Sequence, residues 1–508
     1  MNFKKYTVAA VIAASFLSPF ALSAQSDDSP KKRGPLIPSE AGKVPLNIDS
    51  ATPGLMPLKP LKDIPNDVLA LIDALPAEKA EFIKSGKSNS VLKQDLMFEL
   101  LLEAPTGGVE IYVDTIISVY DQIQYKAGRN AASVKLDRES PEFNTWRLRR
   151  PQVMDPEREA GPLSLGRYLG GGRSGIPTFA NAPVALTPED LKAGKVDVAI
   201  MGAPLDMGSG WRDAINGPRA MRMLRHGTGG TDVSTMINPS SVLNIVDYGN
   251  AAIDQLSTER SVQEVREMVR EIAETGAIPF IIGGDHSLEY PNVAAIADVY
   301  GKGNVGVVHF DAHLDTGRGR VNLLSHGQPI YRLMKEAHVR PENYIQVGLR
   351  AHYGREQYEW QREIGMFYHT MAEVERYGWD AVMNRVVKEA TTNTKHLYVS
   401  FDVDVLDPAF QPGTGTPVSG GLTMREAIPI VRRLCAETNL VGFDIVELAP
   451  ALDSSYVSTL NANSIMFACL TGIAMYKEGI TQPGFISELS SDHGQDAYYD
   501  DKARGDKK

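Results

Sequence analysis

The chain has 508 residues, 43% of them hydrophobic and 23% charged, a globular composition long enough to bury a large core. Asp and Glu (63) outnumber Lys and Arg (52), and the resulting net charge of −11 argues against nucleic-acid binding while suiting cationic substrates. Two cysteines, Cys435 and Cys469, cannot form a disulfide framework for a chain this size; each lies in an apolar, helix-like stretch and reads as a buried thiol, with pairing open if the protein is exported.

Lys4 and Lys5 precede an apolar stretch over 8–22 that gives way to the small residues of Ala21-Leu22-Ser23-Ala24. That order marks residues 1–24 as a secretory signal peptide, and the apolar stretch is short for a membrane span. The mature protein is therefore expected in the periplasm or outside the cell, with no membrane contact. Cleavage would remove two lysines and no acids, taking the net charge from −11 to −13. Residues 25–65, rich in Pro, Ser, Asp and Lys, read as a flexible segment.

Residues 66–190 read as a mostly helical extension. Val68, Leu71, Ile72 and Leu75, then Leu92, Leu96, Leu100 and Leu101, then Ile111, Val113, Ile116, Ile117 and Tyr120 recur at helical spacings and predict about three helices with apolar stripes facing a core. From 130 to 190 the pattern is irregular. The Gly-Gly-Gly-Arg-Ser-Gly run at 170–175 lacks the Gly-Lys-Ser/Thr of a phosphate loop and reads as a turn or lid.

Beyond Lys195 short apolar runs alternate with amphipathic stretches. Strands are predicted over 196–201, 242–246, 279–282, 305–310, 344–347, 396–401 and 441–446, and helices over 261–275, 374–390 and 424–438. Such alternation builds a parallel sheet with helices on both faces, here one α/β domain over 195–482 followed by a mobile tail over 487–508.

Three of these strands end in potential metal ligands. They are His286 in Gly283-Gly284-Asp285-His286-Ser287, then Asp311, His313 and Asp315, then Asp402 and Asp404. Asp311, His313 and Asp315 alternate and share a face in extended chain. Parallel strands bring their C-terminal ends to one edge, where α/β sheets bind ligands. A single Asp-x-Asp or a His after Gly-Gly is more often structural. Together, four carboxylates this close would repel one another without cations, and two divalent ions remove that objection. Two imidazoles and four carboxylates suit manganese best, with nickel, iron and zinc compatible.

These segments, with Phe401-Asp402-Val403-Asp404-Val405-Leu406-Asp407-Pro408, Gly413-Thr414-Gly415-Thr416-Pro417, Gly217-Pro218-Arg219-Ala220 and Asp444-Ile445-Val446-Glu447, resemble the signatures of the ureohydrolase family of arginases and agmatinases over roughly residues 195–480. The resemblance implies a three-layer α-β-α fold with a central parallel sheet, and hydrolysis of a small guanidino compound to urea and an amine by a hydroxide bridging two manganese ions. It implies His286, Asp311, His313, Asp315, Asp402 and Asp404 as metal ligands and Asp315 as the group that aims the hydroxide. His326 matches the proton-shuttling histidine, and Glu447 the carboxylate that pairs with the guanidinium. The family is usually trimeric or hexameric, so a homo-oligomer is expected.

Arginases of that family hold the substrate's α-carboxylate with Asn and Ser, and these positions fall here on Gly317 and Asn322. These departures argue against arginine, and the 316–324 loop also lacks the aromatic and acidic residues common in agmatinases; agmatine is the expected substrate, with guanidinobutyrate, another guanidino acid or guanidine itself as the alternative. Arg318 or Arg320 would receive a carboxylate, and Trp211 would wall the pocket or stack on a guanidinium; each also reads as ordinary surface or packing. A zinc deacetylase on the related fold gives no reason for His286, Asp315 and the second aspartate of the 402–404 pair. A non-catalytic exported binding protein on the same fold is the reading from another class, and the complete ligand set weighs against it.

Overall fold

Eight short strands form one fully parallel sheet: β1 (Val198–Ala203), β2 (Ile245–Asn250), β3 (Ile278–Gly283), β4 (Val305–Phe310), β5 (Tyr344–Leu349), β6 (Phe367–Thr370), β7 (His396–Asp402) and β8 (Leu440–Val446), in the order β2-β1-β3-β8-β7-β4-β5-β6. The computed structural model describes residues 60–105, 107–123, 159–165, 175–224, 230–317 and 324–491. The leader, nearly all of the 25–65 segment, most of the glycine-rich run, Arg318, Arg320, Asn322 and the tail beyond 491 lie outside the described residues.

Side chains alternate across the sheet because the strand period is two. Val198, Ile200, Phe280, Ile282, Val308 and Phe310 feed one core; Ala199, Met201, Ile281, Val305 and Val307 feed the other. Strands buried on both faces need unbroken apolar runs, and β1, β3, β4, β5, β7 and β8 are buried at every position. The helical layers follow the same chemistry. In the four-turn helix Thr258–Glu274, Val262, Val265, Val269 and Ile272 are buried, and Ser257 caps the start by accepting from the Arg260 N–H at 3.2 Å, a contact typically worth ~1 kcal/mol. Thr423 and Glu426 close a capping box at the start of Met424–Glu437.

The longer helices among the described residues include α1 (Asn66–Asp73), α2 (Ala77–Lys84), α3 (Gln94–Leu102), α4 (Gly108–Ile123), α5 (Thr258–Glu274), α6 (Glu289–Tyr300), α7 (Met371–Tyr377), α8 (Trp379–Thr392), α9 (Met424–Glu437) and α10 (Val457–Lys477). Buried residues of α5 and α6 join the second core and those of α8, α9 and α10 the first, which gives the expected three layers. α10 is long and apolar enough to cross a membrane, but most of it is buried inside the protein, as a core helix is.

Several boundaries differ from expectation. β2 begins at Ile245 rather than 242, because Pro239–Val242 is a short helical turn capped by the Asn238 side chain. β6 went unread: of its four residues only His369 is buried, so no apolar run marks it. The helix expected over 374–390 is two, α7 and α8, broken at Gly378 with φ +78°. α1 to α4 are four helices rather than three, around their own core of Val68, Ile72, Ile83, Met97, Leu101 and Val113. Leu96 and Ile111, read as core, are exposed. Cys435 and Cys469 are not free thiols; they form a disulfide joining α9 to α10. The tail's first residues are ordered: Glu488–Ser491 is helical and the Ser487 N–H donates to Ser234 O at 2.9 Å.

Candidate metal centre and active site

β3, β8, β7 and β4 are consecutive in the sheet, so their C-terminal ends make one continuous rim. His286 follows β3; Asp311, His313 and Asp315 follow β4; Asp402 ends β7 with Asp404 just beyond; Glu447 follows β8. All eight residues expected from these strand ends and from His326 beyond them therefore meet at one edge, six candidate ligands in two groups and the His326–Glu447 pair beside them.

In the first group, three carboxylates converge on one imidazole nitrogen. His286 Nδ1 lies 3.1 Å from Asp311 Oδ2, 3.2 Å from Asp315 Oδ2 and 3.1 Å from Asp402 Oδ2. The atom is buried and makes no hydrogen bond. The opposite nitrogen explains why. Nε2 lies 3.0 Å from Ser400 Oγ, whose single proton goes to Asp444 Oδ1 at 2.8 Å. Nε2 must then carry a ring hydrogen, so in the neutral ring Nδ1 holds a lone pair aimed at the carboxylates. Asp444 is held in turn by Tyr398 Oη at 2.5 Å and Asn292 Nδ2 at 3.1 Å.

The second group is His313 Nδ1, 2.9 Å from Asp404 Oδ2 and 3.3 Å from Asp311 Oδ1. Asp311 thus presents Oδ2 to the first group and Oδ1 to the second, the arrangement of a carboxylate bridging two ions. Thr416 Oγ1 donates to Asp404 Oδ2 at 3.2 Å, and the Ala312 N–H to Oδ1 at 3.1 Å.

The electrostatics ask for cations. Burial and the Asp311 charge push Asp404 up to about 6; burial and the Asp404 and Asp311 charges push Asp402 well above the usual carboxylate range. Burial and Asp311 raise Asp315 as well. A lone pair facing three buried carboxylates, beside a fourth, is a costly arrangement alone and a favourable one around divalent ions. The residues present therefore fit a dinuclear metal centre.

Beside it, His326 Nδ1 lies 2.9 Å from Glu447 Oε1, which also accepts the His286 N–H at 3.0 Å. Burial lowers the basicity of His326, but the hydrogen bond to Glu447 and its charge outweigh burial and push the imidazole up to about 9. The backbone holds the pair firmly: the Glu447 N–H donates to Gly284 O at 2.8 Å, and the His326 N–H to Gly208 O at 3.2 Å. Asp315 (φ +45°) and Glu447 (φ +62°) both occupy the left-handed region, a local cost that concentrates at working sites.

Trp211 lies on the loop after β1, three residues past Gly208, with its side chain 60% exposed and its N–H donated to Asp206 O at 2.9 Å. It stands outside the ligand cluster. Four buried residues that the sequence reading passed over belong to the centre: Ser400, Asp444, His309 and Glu289. Position alone would have flagged two of them, since Ser400 and His309 precede Asp402 and Asp311 by two and so share their strand face. Tyr353, on the loop beyond β5 and 37% exposed, feels the same charges: burial and then Asp315 push its phenol up to about 12, with no motif to announce it.

Comparison with known proteins bears on the region of the chain that carries this site. The arginase family model matches residues 196–472. A guanidinobutyrase of Pseudomonas aeruginosa is 33% identical over 320 residues, covering 61% of this chain and 98% of that protein. An agmatinase of Chromobacterium violaceum is 36% identical over 280 residues, covering 53% of this chain and 81% of its own. The crystal structure of a hypothetical agmatinase from Burkholderia thailandensis superposes with a TM-score of 0.54 at 31% identity, over 64% of this chain and 99% of that one. With its six candidate ligands at the same sheet edge and that model spanning the whole catalytic region, this chain belongs to the arginase family, as a ureohydrolase acting on amidino carbon–nitrogen bonds.

Proposed function

We propose that the protein hydrolyses a linear guanidino compound to urea and an amine, using two manganese ions held by His286, Asp311, His313, Asp315, Asp402 and Asp404. The observation that carries this reading is Asp311 spanning two ligand groups a short distance from the His326–Glu447 pair. Divalent ions held there would neutralise the carboxylates and activate a water as nucleophile near neutral pH.

The chain's own groups do the rest. Glu447, 1% exposed, presents a carboxylate to a guanidinium, whose planar donors match it. Asp315 accepts a hydrogen bond from the attacking water and aims its oxygen at the guanidinium carbon. As the carbon–oxygen bond forms and the carbon–nitrogen bond breaks, His326, protonated at neutral pH through its contact with Glu447, gives its proton to the departing amine nitrogen. The balance is one water and one guanidinium in, one urea and one ammonium out.

Agmatine is the first substrate to test, and ω-guanidino acids the second, since relatives of similar identity are named agmatinase and guanidinobutyrase. Arginine is disfavoured by Gly317. A side-chain Cβ there would come 2.6 Å from Gly327 O, the atom its own N–H binds at 2.7 Å, so no Asn-like carboxylate clamp fits. Export, argued from the leader, finds support in the Cys435–Cys469 disulfide, since such bonds persist in oxidising compartments. A homo-oligomer is part of the same proposal.

The test is urea release by the manganese-loaded protein from agmatine, 4-guanidinobutyrate, arginine and guanidine. Release from one of the first two supports the reading; a protein carrying two ions that releases no urea from any of them refutes it.

A further inference from the structure

The first ligand group rests on a buried structure that the reaction chemistry does not use. His309, on β4 and wholly buried, points Nε2 at Asp311 Oδ2 (3.1 Å) and Nδ1 at Glu289 Oε2 (3.1 Å). Its ring lies parallel to the His286 ring, with centroids 4.6 Å apart and planes 6° apart. One imidazole thus touches two ligands of the same group: it hydrogen-bonds Asp311 and stacks on His286.

Its orientation depends on Glu289, the first residue of α6 and also fully buried. A lone imidazole between Asp311 and an apolar neighbour could rotate or invert. With Glu289 as acceptor at Nδ1, the ring is pinned at both ends. Tyr344 Oη, 2.9 Å from that same nitrogen, donates to the other Glu289 oxygen and keeps the carboxylate in plane. The second group, His313 and Asp404, is held instead by Thr416 and the Ala312 N–H.

We propose that Glu289 is a positioning residue for one of the two metal sites: through His309 it fixes Asp311 Oδ2 and the His286 ring, and so sets the affinity of the ion held by His286, Asp311, Asp315 and Asp402 while leaving the His313–Asp404 side largely unchanged. Asp311 is shared, but only its Oδ2 faces His309, so the effect falls on one side. This rests on the metal-centre reading above. The carboxylate acts through the His309 ring, and its Oε2 also lies 3.8 Å from His286 Nε2.

The experiment is manganese binding by the metal-stripped full-length protein, followed by titration calorimetry and by the Mn(II) electron paramagnetic resonance spectrum, for wild type, Glu289→Gln and Glu289→Ala. Wild type is expected to take up two ions. In Glu289→Ala one of the two should bind 10–100-fold more weakly, the usual effect of removing a partner of a metal ligand, with the other within about threefold of wild type. Glu289→Gln, which keeps the shape and one acceptor oxygen, should fall between and keeps the test usable if the Ala variant folds poorly. Both ions binding as in wild type in both variants would overturn the inference. So would equal weakening of both ions accompanied by a lower melting temperature of the metal-free protein, the signature of a purely structural role. A wild-type protein that binds no manganese would overturn the metal-centre reading, and this inference with it, and is distinguishable from the other outcomes by the wild-type isotherm alone.

Discussion

His326 and Glu447, 121 residues apart in sequence, meet at 2.9 Å between Nδ1 and Oε1. The carboxylate holds the imidazole protonated up to about 9 despite burial. If His326 supplies the proton to the leaving amine, kcat should be level near neutrality and fall as pH rises through about 9, when that proton is lost. His326→Asn should lower kcat by about 10²–10⁴-fold and abolish the alkaline fall. A variant whose alkaline limb is unchanged would assign the fall to another group. The check is a pH–rate profile of urea release on wild type and variant.

Metal removal should destabilise the fold. The folded chain crowds Asp311, Asp315, Asp402 and Asp404 together, and burial with mutual charge makes their ionisation unfavourable without ions. Manganese at 100 times its Kd would stabilise the protein by about 2.7 kcal/mol per independent site. Stripping with a chelator should therefore lower the melting temperature by several degrees, and Asp404→Asn should lower the holoprotein far more than the stripped protein. Equal melting curves with and without chelator would contradict this.

The disulfide between Cys435 and Cys469 closes a loop with sequence separation 34 between α9 and α10, both packed against the sheet. Constraining the unfolded chain over that span is worth about 3–4 kcal/mol in the chain-entropy account. The Cys435→Ala, Cys469→Ala double variant should lose stability of that order in urea unfolding. Thiol titration of the unfolded, non-reduced protein should find no free sulfhydryl; two free thiols in protein recovered from its native compartment would go against both the bond and the export argument.

His369, on β6, is buried between two carboxylates, with Nδ1 2.9 Å from Glu373 and Nε2 2.8 Å from Glu389. Burial works against its proton, but the hydrogen bonds and charges of Glu389 and Glu373 prevail and raise it. A histidine with a raised folded pKa contributes stability that is full below the unfolded value near 6.5 and is lost as pH rises through the folded value. Wild type should thus lose stability on going from about pH 6 to alkaline pH relative to His369→Gln, a difference to be read from urea midpoints across pH. A parallel pair of curves would remove His369 from the pH response.

Trp211 offers a test of substrate contact. With its side chain 60% exposed, Trp211→Ala should change stability by under about 0.5 kcal/mol. If the loop after β1 borders the bound guanidine, the same variant should raise KM while leaving kcat nearly intact. Unchanged KM for every substrate tested would place the indole outside the pocket.

The six candidate ligands were legible because a parallel sheet converts a local rule into a global one: any strand whose C-terminal end carries Asp or His delivers it to the same edge. β4 was read to the residue, and β7 and β8 to within one. Apolar runs mark strands buried on both faces. β6 was invisible for the same reason, since an edge strand with one buried residue has no such run. The break at Gly378 between α7 and α8 was missed because the apolar positions on either side keep helical spacing.

By itself the sequence determined which side chains are candidates to hold ions, since His286, Asp311, His313, Asp315, Asp402 and Asp404 follow the ends of apolar strands, while His326 and Glu447 are marked only by the family resemblance. What only the tertiary structure decided is how those atoms are held. The Asp444–Ser400–His286 chain bares Nδ1, and the Glu289–His309–Asp311 chain aims Oδ2; both join residues far apart in sequence. Hydrogen bonds act over about 3 Å and depend on which strands become neighbours, and that is fixed by burying the apolar faces of the whole sheet rather than by any local pattern of residues.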